Sequence, residues 1–336
     1  MSSSNTTVNM IASLNSASNF LNCHFPIFIF IFGIMGNLLN VFVLNQPTLR
    51  LNISALFFNF SSIAELLAIF SGLIAQMLSG YVADLSATIG WICKVRSIVL
   101  YCSRTIVLWL IVLASVDRWL TSSTSVRLRR MSTMKNARRS MFVVLVYTCI
   151  LNAPTLYCFE ANNLSPPRPC YASTYMCRVI TDLLYAFGTT LFPLLLMIIF
   201  GFMTIKNVHH ARIRIQMTTN LEQNLKNTIA STTINRQLQA RKLDRHLIKM
   251  LLVQVFLLFL LTCPHAIFRL HLTFTSNPPQ KSLQYAIQIL IYNLFILLTY
   301  VANGMPFYIY TLCGGAVFRN TLLNLLKTIL NKISHP

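Results

Sequence analysis

The sequence predicts an all-α membrane protein: a seven-transmembrane helix bundle with a short amphipathic interfacial helix at its C-terminus. Three observations predict it. The 336 residues are 55% hydrophobic and only 10% charged, whereas soluble chains carry roughly 25% charge. The apolar residues gather in seven runs, each near the ~20 residues that cross a bilayer. The net charge is +20, from 27 Lys+Arg against 7 Asp+Glu. These bases sit between the apolar runs rather than on a polar domain. That sets aside a nucleic-acid partner and points to membrane lipid.

In chain order, residues 1–24 read as a polar extracellular tail, "MSSSNTTVNMIASLNSASN". It lacks the basic start and apolar centre of a cleaved signal. Asn5-Thr6-Thr7 fits the glycosylation acceptor pattern, which makes Asn5 the candidate. Asn163-Leu164-Ser165 is a weaker match because Pro166 follows, and the same pattern at Asn52 and Asn59 falls at or inside a membrane segment. The spans are expected at 25–47, 53–79, 94–119, 141–159, 180–205, 247–272 and 284–312, so residues 25–312 form the transmembrane domain. The stretch 206–246 is basic and rich in Thr, Asn and Gln, and it extends the fifth and sixth helices. Residues 313–336 contain "FRNTLLNLLKTILNKI", whose Phe318, Leu322, Leu323, Leu325, Leu326, Ile329 and Leu330 fall largely on one helical face. Arg319, Lys327 and Lys332 lie off that face, as in a helix resting in the inner interface before a short cytoplasmic tail. Twenty of the 27 bases lie in the C-terminal tail, in the gaps after runs one, three and five, or, as Arg118 and Lys249, at the run ends that border those gaps. This asymmetry places the N-terminus outside the plasma membrane and the C-terminus in the cytosol.

The third run ends "LASVDRWLTS", with Asp117, Arg118 and Trp119 side by side. A charge inside the membrane costs about 2.5–3.5 kcal/mol on insertion scales, so such a residue is usually paired or functional. The plainer reading is an arginine that snorkels to anchor a helix end. Cys93 lies 24 residues before Asp117, or ~36 Å along a helix. One helix therefore carries a thiol at its outer end and an acid–base pair at its inner end. Pro193, Pro264 and Pro306 fall in the last three runs. Together with Gly36-Asn37, Glu65 within "AELL", and "MPFYIY" followed by "VFR", these residues resemble the rhodopsin-like (class A) G-protein-coupled receptors. The resemblance covers about residues 25–330. Within the family it looks like a divergent invertebrate branch, similar to FMRFamide and other neuropeptide receptors. The chain departs from the family pattern at several places. Helix four has no tryptophan, Thr262 stands two residues before Pro264, Met305 precedes Pro306, Trp119 replaces a tyrosine and Glu65 replaces an aspartate.

The resemblance implies a receptor that transmits an extracellular peptide or small-molecule signal, a neuropeptide foremost, to a cytosolic heterotrimeric G protein. It implies a switch at Arg118, restrained at rest and free to contact the G protein when active. Asp117 and Trp119 adjoin it, and Pro306 and Tyr310 belong to the same machinery in helix seven. Asp244, near the inner end of helix six, is a second candidate partner for Arg118. Its alternative is a solvated charge among Arg241, Lys242 and Arg245. The resemblance also implies a sodium site at Glu65, with Asn37 and Asn303 as neighbours. The alternative is a protonated, purely structural Glu65 and no cofactor. Finally, it implies a disulfide from Cys93 to the second outer loop, where Cys170 is preferred over Cys177. A further pair among Cys23, Cys158 and Cys177 is open, and Cys102, Cys149, Cys263 and Cys313 are expected to stay thiols.

A ligand pocket would be lined by the outer halves of the helices. Arg96 and Arg104 share a face of helix three with Leu100. Helix five offers Asp182 and Tyr185, and helix six offers His265, Phe268 and Arg269. On helix seven, Gln288, Tyr292 and Phe295 recur with Ile291 and Thr299 at 3–4 residue steps. The membrane half of helix three has no acid, which argues against an amine ligand. Arg104 favours an anionic group such as a peptide carboxylate, unless it pairs internally. A transporter or channel is the rival reading. It would want pseudo-symmetric halves, broken helices or several intramembrane charges, and the sequence has one central acid, Glu65, and no repeat. An enzyme is disfavoured, because no H-E-x-x-H and no acid pair falls within the helices.

Overall fold

The computed structural model describes residues 2–47, 49–80, 84–162, 169–222, 231–275, 278–279, 282–313, 318–323, 327 and 331. For residues 2–5, 80, 211–222, 231–247 and 313 it describes the backbone alone. In lipid every backbone N–H and C=O must find a partner within its own segment, and a long helix meets that demand. Accordingly, seven helices among the described residues are long and apolar enough to cross a membrane. They are carried by α1 (Ser2–Leu44), α2 (Ile53–Gly80), α4 (Gly90–Ser122), α6 (Met134–Cys158), the joined α7 and α8, α9 (Ser231–Phe274) and α10 (Leu283–Gly304). Short helices α3 (Leu85–Thr88) and α5 (Val126–Met131) punctuate the connections, and α11 (Pro306–Cys313) follows α10. A two-stranded hairpin of β1 (Phe159–Glu160) and β2 (Tyr171–Ala172) joins α6 to α7 (Tyr175–Leu183), pairing Phe159 with Ala172 and Glu160 with Tyr171.

Side-chain caps set several helix starts. The N–H groups of Ser54, Asn136, Cys177 and Tyr285 donate to Asn52, Thr133, Thr174 and Ser282 at 3.0, 3.3, 3.2 and 3.1 Å. The Asn-Ile-Ser triplet that matched a glycosylation pattern is therefore the cap of α2.

Residues 1–24 were expected as a polar extracellular tail, with no helix assigned to them. The structure instead continues the first helix through them from Ser2. Its 43 residues run ~64 Å, about twice the ~30 Å hydrocarbon core. The extension leans on its neighbours: Asn293 donates to Ser18 at 2.8 Å, and Gln76 donates to Asn22 at 2.6 Å. The side chain of Asn5 lies outside the described residues. Lower down, α1 and α10 touch backbone to backbone. A Cβ at Gly304 would stand 3.2 Å from the Gly33 Cα, so glycine permits this close crossing.

Helix α4 is the axis of the bundle, packing on α2, α6 and α8. The fifth span is not uniform. Between α7 and α8 (Phe192–Glu222), residues Leu184–Leu191 wind as a π-helix. Pro193 supplies the cause, because it has no N–H and its ring disturbs the turn before it. Phe192 donates to the Phe187 carbonyl in the wide pattern. The next carbonyl, Gly188, would pair with the N–H that Pro193 lacks. It is taken instead by the Trp109 indole at 3.1 Å and the Tyr147 hydroxyl at 3.2 Å.

Past α11, residues 318–323 are helical. Phe318 is buried against Phe307 and Tyr310, while Leu323 is exposed. Arg319 donates to the Thr311 and Leu312 carbonyls at 2.9 and 3.0 Å, satisfying the end of α11. Of the expected apolar face, Leu325, Leu326, Ile329 and Leu330 lie outside the described residues, as does the side chain of Asp244.

Candidate functional site

Charge is buried at three levels of the bundle, and the sequence-predicted residues divide among them.

At the end of α4, Asp117 and Arg118 are both buried. They pair at 3.0 Å. Arg118 also donates from Nε to Ser54 at 2.7 Å and from Nη2 to Asn52 at 3.1 Å. The Ser54 hydroxyl in turn donates to Asp117 at 2.8 Å, and Ser132 donates to the other carboxylate oxygen at 2.6 Å. The arginine is thus held toward the start of α2. Trp119 packs on Phe200, and buried Tyr310 donates to Gln254 at 2.9 Å. Pro306 opens α11 after the break at Met305. Asn52, Ser54 and Ser132 were not foreseen as partners; the cap pattern at Asn52 was the available signal.

Midway, Glu65 is 1% exposed. Ser61 donates to one of its oxygens at 3.4 Å, and the other has no hydrogen-bond partner among the described residues. Asn37 donates to the carbonyls of Gly33 and Asn303, each at 3.0 Å. Asn303 therefore meets Asn37 through its backbone rather than its side chain. Buried oxygens of Asn37, Asn40, Ser62 and Glu65 all lack hydrogen-bond partners among the described residues. Arg104, above them, is also buried. It donates to Thr299 at 2.8 Å and lies 4.6 Å over the Tyr300 ring. No carboxylate pairs with it among the described residues.

At the far end, two disulfides fix the hairpin: Cys93–Cys170 to the start of α4, and Cys158–Cys177 across its own base. The first is the expected pair, the second one of the open alternatives. Cys23 remains a free thiol, as do Cys102, Cys149 and Cys263. Cys170 places the next residue, Tyr171, over Asp182, to whose two oxygens its hydroxyl donates at 2.7 and 2.8 Å. Burial pushes the Tyr171 phenol well above its ordinary value of 10. It therefore keeps its proton, and this donation is lost only in strong alkali.

Residues 265, 269 and 273 fall four apart and so stack on one face of α9. All three meet the fifth span. Thr273 donates to Asp182 at 2.5 Å, Arg269 forms an ion pair with it, and His265 Nδ1 shares a proton with Tyr185 at 3.0 Å. Arg269 also donates to Tyr101 at 3.0 Å, and its guanidinium lies 4.5–5.4 Å from the rings of Tyr185, Tyr101 and Tyr171. Tyr292 packs its ring 5.6 Å from His265.

Not every expected pocket residue joins this cluster. Phe268 and Phe295 pack edge-on at 5.5 Å and line a separate groove of about 740 Å³ along the α9–α10 seam, beside Pro264 and exposed Ile267. Arg96 turns toward α2 and α3, donating to Ser71 at 3.0 Å and Ser86 at 2.5 Å and pairing with Asp84 at 4.0 Å. There it borders a cavity of about 140 Å³ with Gln76 and Asn293. Gln288 is half-buried on α10. The fold thus gathers Asp182, Tyr185, His265, Arg269 and Tyr292 into one buried cluster and leaves Arg96, Arg104, Phe268, Phe295 and Gln288 around it. Among the described residues, no three His, Cys, Asp or Glu side chains group as metal ligands.

Residues 36–313 match the family model described as 7 transmembrane receptor (rhodopsin family). No curated protein matches the chain.

Proposed function

Because the chain belongs to the rhodopsin family of seven-transmembrane receptors, we propose that it carries the signal of an extracellular neuropeptide to a heterotrimeric G protein in the cytosol. It acts as a receptor rather than as an enzyme. It spans the plasma membrane with its N-terminus outside, which puts the disulfides in the oxidising compartment and the Asp117–Arg118 end in the cytosol. One observation carries the reading: Arg118 is buried and held by Asp117, Ser54 and Asn52 together. An arginine so restrained has two stable states, bound in this set or swung out to a partner. A ligand that favours the second shifts the balance. Asp244, whose side chain lies outside the described residues, is proposed as a second resting partner from the cytosolic part of α9. At the outer end, beneath the Asp182–Arg269 pair, Arg104 receives the ligand; no carboxylate among the described residues pairs with it, and its positive charge suits an acidic group on a peptide.

The test is a neuropeptide library applied to cells expressing the chain, with calcium and cAMP as readouts. The expected result is a response that falls about tenfold or more in Arg118→Ala at equal surface level. A response indifferent to Arg118 overturns the mechanism. Current or solute flux without nucleotide exchange replaces the receptor with a transporter or channel.

The oxygens of Glu65, Asn37, Asn40 and Ser62 that lack a hydrogen-bond partner among the described residues are hard donors of the kind that suits sodium. Glu65 and Asn37 would hold the ion, and its charge would let Glu65 stay ionised. Thermal unfolding in sodium chloride against choline chloride tests this. Sodium should raise the midpoint by about 2–4 °C, and Glu65→Gln should erase the difference. Equal midpoints for the wild type would make Glu65 a neutral structural acid.

A further inference from the structure

We infer that Ser132 is a phosphorylation site for an arginine-directed protein kinase, and that its phosphate competes with Asp117 for Arg118. The sequence before it reads Arg127-Leu128-Arg129-Arg130-Met131. Cations therefore stand five, three and two residues ahead of the hydroxyl, a pattern that an acidic peptide groove in a kinase would select. The six residues of α5 include no buried one. A helix that short has little stability of its own, so the segment can open into the extended form a kinase needs. The neighbouring Thr133 hydroxyl is engaged in capping α6. Ser132 is half-buried, and its hydroxyl is tied to Asp117 at 2.6 Å.

That hydrogen bond gives the modification its consequence. In the transfer, the Ser132 oxygen attacks the γ-phosphorus of a magnesium-bound nucleoside triphosphate. The bond to the β-phosphate bridging oxygen breaks, the diphosphate leaves, and the hydroxyl proton passes to the kinase's base. Asp117 loses a donor and gains a like-charged neighbour of about −2. Its other oxygen is 3.0 Å from the Arg118 Nη2, so the new phosphate oxygens come within reach of the same guanidinium. A cavity of about 350 Å³ beside Ser132, polar at Asp117, Thr133 and Asn136 and mostly apolar elsewhere, has room for the bulk of the phosphate. The phosphate holds Arg118 in place, and coupling falls. This last step rests on the reading of Arg118 as the G-protein contact and of α5 as cytosolic.

The experiment uses the purified full chain in lipid nanodiscs, an arginine-directed serine kinase and labelled ATP, with site mapping by mass spectrometry. Near-stoichiometric phosphate on Ser132 is expected. Ser132→Ala should lose it, and Arg129→Gln with Arg130→Gln, which keeps the hydroxyl, should slow it about tenfold. Overturning results are label that persists in Ser132→Ala, or a free peptide of residues 125–137 that is labelled while the intact chain is not. The contact is read by ³¹P NMR: the Ser132 phosphate resonance should move when Arg118 is changed to Gln, and a fixed resonance sinks the competition. Kinase treatment should then lower nucleotide exchange on a reconstituted G protein about tenfold. Unaltered exchange overturns the effect on coupling. Exchange is measured with the library peptide that gives the calcium or cAMP response; if the untreated chain with that peptide drives no exchange while labelling and ³¹P results hold, the receptor reading fails and the site stands.

Discussion

Asp182→Ala should destabilise the folded protein by about 3–5 kcal/mol, the usual result of stripping a buried ion of its partner. Arg269 is 2% exposed and Asp182 is fully buried. Without the carboxylate, the guanidinium keeps its bond to Tyr101 and the faces of three tyrosines, which cannot balance a full charge away from water. Tyr171 and Thr273 lose their common acceptor at the same time. The double variant Asp182→Ala/Arg269→Leu should recover most of the loss, because it removes both charges and leaves apolar volume. Thermal unfolding of the purified protein and surface expression both report the difference. A single variant as stable as the wild type would mean that the pair is not buried as described. A double variant as unstable as the single would mean that packing around Asp182, rather than its charge, matters.

Removing the Cys93–Cys170 bridge should cost more than removing Cys158–Cys177. The two close sequence separations of 77 and 19 residues, for which chain entropy assigns about 4.5 and 3 kcal/mol respectively. Both are upper bounds here, since inserted helices keep the unfolded chain partly ordered. The larger difference is local. Cys170 adjoins Tyr171, so Cys170→Ser also frees the phenol that covers Asp182, whereas Cys158→Ser leaves that phenol pinned. The expected order in unfolding temperature is wild type, then Cys158→Ser/Cys177→Ser, then Cys93→Ser/Cys170→Ser. Combining the latter with Asp182→Ala should be less than additive, because both act on one network. The reverse order of the two bridges, or full additivity, would separate the hairpin from the Asp182–Arg269 pair.

The seven spans were legible because lipid imposes a composition that can be counted along the chain. Asp117 and Arg118 were legible because charge at the end of an apolar run is conspicuous. Asp182 and Arg269 were each legible as outer-end polar residues. Their pairing was not, because they stand 87 residues apart and local periodicity does not say how two helices are rotated against each other. The same blindness hid Asn52 and Ser54 behind Arg118, and Thr299 and Tyr300 behind Arg104. The long first helix was hidden for another reason. Polar residues such as Ser18 and Asn22 look like a loose tail until Asn293 and Gln76 reach out to them.

The wide turn at Leu184–Leu191 acts as a phase offset in the fifth helix. It puts the half bearing Asp182 out of step with the half below Pro193. Taking one residue out of that turn would twist the outer half by about 100° relative to the inner and swing the Asp182 carboxylate off Arg269. The Gly188 carbonyl, clasped by Trp109 and Tyr147, is the detent that keeps the dial where it is.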